Sequence, residues 1–186
     1  MKLEIVCAGI GGRGVLLAST ILMETAIKAG LKAIASDEYG MSQRGGSVVS
    51  LVKIGDFASP LIGRENADLL LAFEESEFYK TLFFLKKGGV AVINTKRTAL
   101  PESVGRLLEQ RDIRCFLIDA DGIAMERKMV QSANMVLLGF VSSLSIGFYS
   151  AENIEDMITR KVPAKFLEKN MEVFREGIRR SVQGER

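Results

Sequence analysis

A glycine-rich turn at residues 9–14, Gly-Ile-Gly-Gly-Arg-Gly, is the first segment whose residue types and spacing could do chemistry. Gly9, Gly11 and Gly14 match the pattern G-x-G-x-x-G. In that pattern the first glycine permits a tight turn, the second lets a ligand approach the backbone, and the third lets the helix pack on the strand. The helix that follows would favour an anion at its N-terminus. The segment predicts either a dinucleotide or other phosphate ligand, or a structural turn that packs against a partner.

Two further residues of the turn bear on its chemistry. Gly12 makes the turn more open, and Arg13 places a positive charge in the first turn of the helix. Because this charge opposes the helix dipole, it needs a separate explanation. One explanation is an anionic ligand or partner, and the other is an arginine that simply faces solvent.

A polar loop at residues 36–46 is the second unusual segment. An arginine followed by two glycines leaves the backbone exposed and the guanidinium free for a bidentate contact with a carboxylate or phosphate. Loops at the carboxyl ends of strands are where α/β proteins bind ligands or partners, although a flexible surface loop is the alternative. The candidate binding residues here are Ser42, Gln43, Arg44, Gly45 and Gly46.

The acidic residues allow a different interpretation. Asp37 or Glu38 follows the second predicted strand and could accept a hydrogen bond from a ribose hydroxyl, as in nicotinamide-dependent dehydrogenases. Against a dehydrogenase, the chain has no histidine to act as a base, and its helical C-terminal region does not look like a second substrate domain.

Other polar side chains are expected to be structural. Carboxylates near residues 74–77 complement the dipole of a predicted helix and are expected to face solvent. Asp119 and Asp121 are expected to cap a helix rather than to bind a metal. Asn134 and Asn170 lie in apolar helices, where each could be a buried hydrogen-bonding anchor or could face water.

Composition limits the classes of protein that remain. The chain has 186 residues, of which 47% are hydrophobic and 26% charged, and its net charge is only +2. These values indicate a soluble globular protein and give no sign of a nucleic-acid or membrane partner. Cys7 and Cys115 cannot supply the four thiolates of an iron–sulfur cluster. The N-terminus lacks the pattern of a signal peptide, so a cytoplasmic location is expected.

The predicted elements would place these residues on an α/β scaffold. Residues 3–8 predict a buried strand, residues 15–29 a helix that ends at Gly30, and residues 31–36 the next strand, a unit that implies parallel strands. We expect one domain over residues 1–186, with three layers, a Rossmann-like mostly parallel sheet and a helical C-terminal region packed back onto it. Further strands are predicted at 47–54, 69–73, 90–94 and 113–118, and helices at 74–85, 101–110, 121–129, 132–148, 151–160 and 164–182.

Several of these segments, taken in order, resemble the gamma subunit or gamma domain of pyruvate/2-oxoacid:ferredoxin oxidoreductases. Residues 41–50 and 72–74 look most like the beta subunit of indolepyruvate:ferredoxin oxidoreductases, and the gamma subunits of 2-oxoglutarate enzymes are similar. Two residues depart from the family, which usually has glutamine at the position of Arg13 and, in the indolepyruvate type, histidine at the position of Tyr39. The segments that carry the resemblance are residues 9–18, 39–50, 59–62, 67–74 and 162–165, with Asn134, Leu138, Gly139, Asn170, Phe174 and Gly177.

The resemblance implies a non-catalytic subunit of a complex that oxidatively decarboxylates a 2-oxoacid, forms an acyl-CoA and reduces ferredoxin. Thiamine diphosphate, Mg²⁺ and the iron–sulfur clusters would lie on partner subunits, and coenzyme A would be the co-substrate. The subunit would help to accommodate coenzyme A with Gly9 to Gly14 and Ser42 to Gly46, and it would not be active alone. The alternatives are a free-standing NAD-binding dehydrogenase and a pure subunit-interaction module.

Overall fold

One mixed sheet organises the chain. A computed structural model describes residues 1–40 and 45–184, and within them the sheet has six strands. These are β1 (Leu3–Ile10), β2 (Ala33–Tyr39), β3 (Ser47–Ile54), β4 (Ala67–Ala72), β5 (Leu85–Asn94) and β6 (Arg114–Ile118).

The strand order is β2-β3-β1-β4-β5-β6. The pairs β1–β4, β4–β5 and β5–β6 are parallel, whereas β3 pairs antiparallel with both β1 and β2. Therefore β1 and β2 run in the same direction, as the strand–turn–helix–strand pattern predicted, but β3 lies between them. The prediction of a mostly parallel α/β sheet is confirmed.

Helices cover both faces of this sheet. They are α1 (Val15–Lys28), α2 (Glu75–Thr81), α3 (Glu102–Gln110), α4 (Ala120–Glu126), α5 (Ala133–Ser142), α6 (Ala151–Lys161) and α7 (Ala164–Gly184), with a 3₁₀ turn at Leu82–Phe84.

Because side chains alternate between the two faces of the buried strands, the hydrophobic core forms two clusters, one on each face of the sheet. Cys7 and Leu71 face the side covered by α1 and α4 to α7, whereas Ala8 and Leu70 face the side covered by α2 and α3. Since successive side chains of a strand point to opposite faces, both registers of β1 and β4 are apolar, which is typical of strands buried between two helical layers. The three-layer arrangement follows from this pattern.

Some element boundaries differ from the predictions. The helix expected to end at residue 148 ends at Ser142, where the hydroxyls of Ser142 and Ser143 donate to the carbonyls of Gly139 and Phe140, and Ser145 has a positive φ. Residues 37–39, expected in a loop, extend β2 because their backbone pairs with β3. Of the described helices, none is long and apolar enough to cross a membrane.

Candidate functional site

The glycine turn connects the end of β1 to the start of α1. Gly12 has φ 90° and Gly14 has φ 75°, a region that side chains disfavour, so both positions favour glycine. A Cβ on Gly14 would also overlap the side-chain amide of Asn134, coming within 2.9 Å of its Cγ. The third glycine therefore lets the turn approach α5.

Gly9, the first glycine, has the packing role that the sequence pattern assigned to Gly14, the third glycine. A Cβ on Gly9 would lie 2.7 Å from Cγ2 of Val15 and 2.8 Å from Cβ of Phe73. Close packing of α1 against the strand ends thus depends on Gly9, not on the third glycine as the pattern predicted.

The second predicted segment meets the turn at a backbone hydrogen bond. The amide of Gly11 donates to the carbonyl of Gly46 at 2.9 Å, and the amide of Gly40 donates to the carbonyl of Ser47 at 2.7 Å, which holds Gly40 against the start of β3. Gly45 has φ 76°. Two segments more than thirty residues apart in the chain are thereby adjacent, as the sequence led us to expect. Ser42, Gln43 and Arg44 lie outside the described residues, and their role stays a prediction.

Between these segments lies an open cleft of about 830 Å³. We call it the glycine cleft. One wall is the glycine turn with the first turn of α1, and the other is the end of β2 with the start of β3. Gly14 forms the N-cap of α1 without a side-chain cap from the described residues, and the first turn has no acidic residue. Its lining residues are Ile10, Gly11, Gly12, Gly14, Val15, Leu16, Leu17, Tyr39, Gly40, Gly45, Gly46, Ser47 and Val48.

This lining defines what the cleft could bind. The N-terminus of α1 and the backbone of the turn favour an anionic group, whereas Leu16, Leu17 and Val48 offer an apolar surface. A ligand with a phosphate and a longer, partly apolar body would match both parts.

Arg13 does not point freely into this cleft. Its Nε lies 2.7 Å from Oε1 of Glu74, and its Nη2 lies 2.6 Å from both carboxylate oxygens of Asp121. The Arg13 side chain is 22% exposed. The sequence offered a ligand contact or a solvent-exposed arginine, but the charge is compensated by two carboxylates of the same chain. A contact of Arg13 with a ligand stays a prediction.

The carboxylate of Asp121 is held from a second side. Asn94 Nδ2 donates to Oδ2 of Asp121 at 2.9 Å and to the carbonyl of Phe73 at 3.0 Å, and Asn94 Oδ1 accepts from the amide of Ala120 at 2.9 Å. The glycine turn is therefore tied through Arg13 to the carboxyl ends of β4, β5 and β6.

Burial and charge act in opposite directions on Glu74. Its pKa is raised above the ordinary glutamate value, first by partial burial, and Asp121 and Glu77 raise it further by repulsion. The guanidinium of Arg13 lowers the same pKa, and the net shift is upward. Arg13 therefore opposes the effect of burial on the charge of Glu74.

Sequence reasoning missed a buried carboxylate beside the cleft. Glu77 was expected in solvent, but it is 1% exposed and accepts hydrogen bonds from the Ser47 hydroxyl and from Lys80, whose Nζ is 2.6 Å away. It fixes α2 to the start of β3. A glutamate at the start of a short helix carries no signal of burial, so the sequence alone could not have identified it.

The remaining polar predictions have mixed outcomes. Asp119 caps α4 by accepting from the amide of Gly122 at 2.8 Å, as predicted, whereas Asp121, also expected to cap, accepts from Arg13 and Asn94 instead. Asn134 and Asn170 are both buried, so the anchoring alternative is correct for each. Among the described residues no group of three His, Cys, Asp or Glu could hold a metal ion.

The dehydrogenase alternative depended on Asp37 or Glu38, which both lie in β2. Oδ1 of Asp37 accepts a hydrogen bond from the hydroxyl of Ser50 at 2.5 Å. Because β3 separates β2 from β1, neither residue is on the strand adjacent to the glycine turn, where a dinucleotide fold places its ribose-binding acid. The strand order removes the observation that favoured a dehydrogenase.

Comparison with known proteins gives a consistent set of relatives. Residues 4–180 match the family described as pyruvate ferredoxin/flavodoxin oxidoreductase. The chain is 31% identical to the indolepyruvate oxidoreductase subunit IorB of Archaeoglobus fulgidus, over 99% of this chain and 98% of that protein. It is 29% identical to the 2-oxoglutarate synthase subunit KorC of Methanothermobacter thermautotrophicus, over 100% and 98%.

A solved structure shares the fold. The crystal structure of the gamma subunit of a keto/oxoacid ferredoxin oxidoreductase from Geobacter sulfurreducens superposes with a TM-score of 0.79 at 29% identity, covering 98% of this chain and 99% of that one.

Proposed function

The chain belongs to the pyruvate ferredoxin/flavodoxin oxidoreductase family, and on that basis we propose that it is the small, gamma-type subunit of a 2-oxoacid:ferredoxin oxidoreductase complex. The complex decarboxylates a 2-oxoacid, transfers the acyl group to coenzyme A and passes two electrons to ferredoxin. The observation that carries the proposal is the family match over residues 4–180, together with relatives that are themselves small subunits.

The chemistry belongs to the partner subunits. Thiamine diphosphate with Mg²⁺ and the iron–sulfur clusters would be bound there, where they would supply decarboxylation and electron transfer. The donor set of this chain agrees with that assignment, because it has two cysteines and no histidine. Burial raises the pKa of Cys7 to about 12 and that of Cys115 to about 11, which disfavours the thiolate that a metal requires.

We assign coenzyme A to the glycine cleft. The N-terminus of α1 and the turn from Gly9 to Gly14 would receive a phosphate, Gly45 and Gly46 would line the opposite wall, and the apolar wall would contact the pantetheine chain. Ser42, Gln43 and Arg44 would complete the site. In this arrangement the subunit covers one side of an active site that lies on a partner.

The 2-oxoacid is of the indolepyruvate or aryl type, or of the 2-oxoglutarate or branched type. The relative named for indolepyruvate supports the first class, and the relative named for 2-oxoglutarate supports the second. Comparing kcat/KM for indolepyruvate and 2-oxoglutarate with the assembled complex distinguishes them.

We further propose that residues 1–186 form one gamma-type domain, because every described α-helix contributes buried residues to the apolar clusters on the two faces of one sheet. A cytoplasmic location stays a prediction from the sequence.

Reconstitution tests the role of the chain. The chain is purified alone and with its thiamine- and cluster-carrying partners, and 2-oxoacid- and coenzyme A-dependent reduction of a viologen dye is measured. We expect activity only from the complex. Full activity of the isolated chain would contradict the proposal, and saturable micromolar binding of NADH to the isolated chain would favour a dehydrogenase instead.

Substitution of Gly11 tests the cleft itself. A Cβ on Gly11 would make only ordinary contacts, 3.8 Å from the amide nitrogen of Gly45 and 3.9 Å from the carbonyl oxygen of Gly46, so alanine fits there without strain and a longer side chain would narrow the cleft. We expect Gly11→Ala and then Gly11→Leu to raise the KM for coenzyme A progressively, by about tenfold or more for leucine. Stability should change little.

Gly105→Ala is the matched control, since Gly105 lies in α3 and a Cβ added there would meet no heavy atom within 4 Å. Its KM should equal that of the wild type. If Gly11→Leu also leaves the KM unchanged, coenzyme A does not use the cleft and the chain acts as an interaction module.

A further inference from the structure

A second groove, rimmed by lysines, lies next to the glycine cleft. It has a volume of about 640 Å³ and is formed where the segment between α4 and α5, with the start of α5, faces the start of α7. Lys128 stands on one wall, and Lys165 and Lys169 stand on the other. We call this surface the lysine groove.

No carboxylate of the described residues balances the charge of the groove, although the Lys165 ammonium lies 4.6 Å from the centre of the Phe166 ring. Among the residues that the structure describes, no acidic one lines the groove and none pairs its carboxylate with Lys128, Lys165 or Lys169. Lys165 and Lys169 are four residues apart on one helix, a spacing at which like charges repel. Lys165 also lies in the first turn of α7, where a cation opposes the helix dipole. An external anion would relieve both unfavourable interactions.

One buried hydrogen bond connects the walls of the groove, and a second lies within α7. Ser132 Oγ donates to Oδ1 of Asn170 at 2.9 Å, and Asn170 Nδ2 donates to the carbonyl of Phe166 at 2.8 Å. Both Ser132 and Asn170 are buried. The start of α5 is thereby fixed to the start of α7, so the lysines are presented on a formed surface.

Apolar side chains accompany the charges. Val130 is 58% exposed and Phe166 is 47% exposed, one on each wall, and Met135 and Val162 are buried between them. Large exposed apolar groups inside a basic surface are typical of a protein interface rather than of a site for a small inorganic anion.

We propose that the lysine groove docks an acidic segment of a partner subunit, with an apolar side chain between Val130 and Phe166 and carboxylates against Lys128, Lys165 and Lys169. The proposal rests on the chain's role as a subunit of a larger complex. Leu17 lines both the lysine groove and the glycine cleft, so a segment docked here would hold the partner beside the cleft.

Charge reversal tests the docking. The variant K165E/K169E is compared with K87E/R106E, which makes the same change of charge at exposed positions outside the groove. Binding to the purified thiamine-carrying partner subunit is measured by titration at low and high salt. We expect K165E/K169E to raise the Kd about tenfold or more and to weaken its dependence on salt, and K87E/R106E to stay within about twofold of the wild type.

A zero-length carbodiimide cross-link gives an independent readout on the wild-type complex. We expect amide links between Lys128, Lys165 or Lys169 and Asp or Glu of the partner. Thermal unfolding of each variant shows whether a weaker docking results from a loss of folding. The variant K165Q/K169Q, which removes the charges without reversing them, is measured in the same way.

The possible outcomes distinguish this inference from the proposed function. Failure of the wild-type chain to bind the partner at all would contradict the proposed function. A normal, active complex with unchanged binding by K165E/K169E and no cross-link at these lysines would overturn the docking proposal alone. Unchanged assembly with a raised KM for coenzyme A would also overturn it, since the groove would then be a site for a small anion.

Discussion

At Gly14 two requirements coincide in one residue. Its φ of 75° costs about 1–2 kcal/mol for a residue with a side chain, and a Cβ there would overlap the Asn134 amide. We therefore expect Gly14→Ala to lower the free energy of unfolding by about 2 kcal/mol or more, as measured by urea denaturation.

A double variant separates the two causes. Adding Asn134→Ala removes the overlap but keeps the backbone cost, so the double variant should lose less stability than the sum of the two single variants. Strict additivity would show that the overlap with Asn134 contributes nothing.

Arg13 lowers the pKa of the neighbouring Glu74 carboxyl. Since the guanidinium lowers the pKa of Glu74 against burial and two repulsive carboxylates, Arg13→Gln should raise that already elevated pKa further. Arg13→Lys keeps the positive charge and should therefore shift the pKa of Glu74 less. A ¹³C NMR titration of the glutamate carboxyl groups measures both, and an unchanged Glu74 pKa in Arg13→Gln would contradict the assignment.

The sign of the effect on stability follows from the direction of the shift. A carboxyl whose pKa is higher in the folded state than in the unfolded state stabilises the fold at low pH. That contribution is lost as the pH rises from the ordinary glutamate value through the folded pKa. In Arg13→Gln the loss should extend to higher pH than in the wild type.

The ion-pair partners of Arg13 show what sequence analysis could not predict at the level of single residues. The turn, its glycines and the unusual charge of Arg13 were all visible in the sequence. Asp121 is 108 positions from Arg13, and only the parallel order of β1, β4, β5 and β6 brings the two side chains together. The charge could be recognised as needing a partner, but the partner could not be named.

At the level of elements, α5 and α7 approach each other closely through two glycines. A Cβ on Gly139 would overlap the carbonyl of Phe174, and one on Gly177 would overlap the carbonyl of Val136, with the carbonyl carbons at 3.0 and 2.9 Å. Because backbone atoms are in the way, no side-chain rotation can make room. We expect Gly139→Ala and Gly177→Ala each to lower the free energy of unfolding by about 2–3 kcal/mol.

The control for this prediction is again in a helix. Gly105→Ala in α3 meets nothing and replaces a poor helix former by a good one, so its free energy of unfolding should rise by up to about 1 kcal/mol. Urea denaturation of the three variants gives the comparison. Equal stability of Gly139→Ala and Gly105→Ala would show that the two helices are farther apart than described.

At the level of secondary-structure elements, the sequence could not predict the direction of β3. Apolar periodicity predicted a strand at residues 47–54 and gave its bounds correctly, but periodicity is the same for parallel and antiparallel neighbours. The insertion of β3 between β1 and β2 depends on pairings such as Cys7 with Ser50 and Ser50 with Asp37. That single reversal distinguishes this sheet from the dinucleotide-binding order that the glycine turn suggested.

For the whole molecule, the central strands connect the two apolar clusters. Val6 and Cys7 are consecutive in β1 and belong to opposite clusters, as do Leu70 and Leu71 in β4. Neither cluster can lose its strands without exposing the other. We therefore expect the chain to unfold in one cooperative transition, as one domain would.

Substitutions on opposite sides of the sheet test this cooperativity. Phe78 is fully buried on the α2 side, and Phe174 is fully buried on the α7 side. Phe78→Leu and Phe174→Leu should each lower the free energy of unfolding by about 1–2 kcal/mol, with the same m-value as the wild type.

Urea unfolding is followed by far-UV circular dichroism and by tyrosine fluorescence, since the chain has three tyrosines and no tryptophan. Coincident curves in all three proteins are the expected result. A variant that shifts only part of the transition would divide the chain into two units, because each side of the sheet would then unfold without the other.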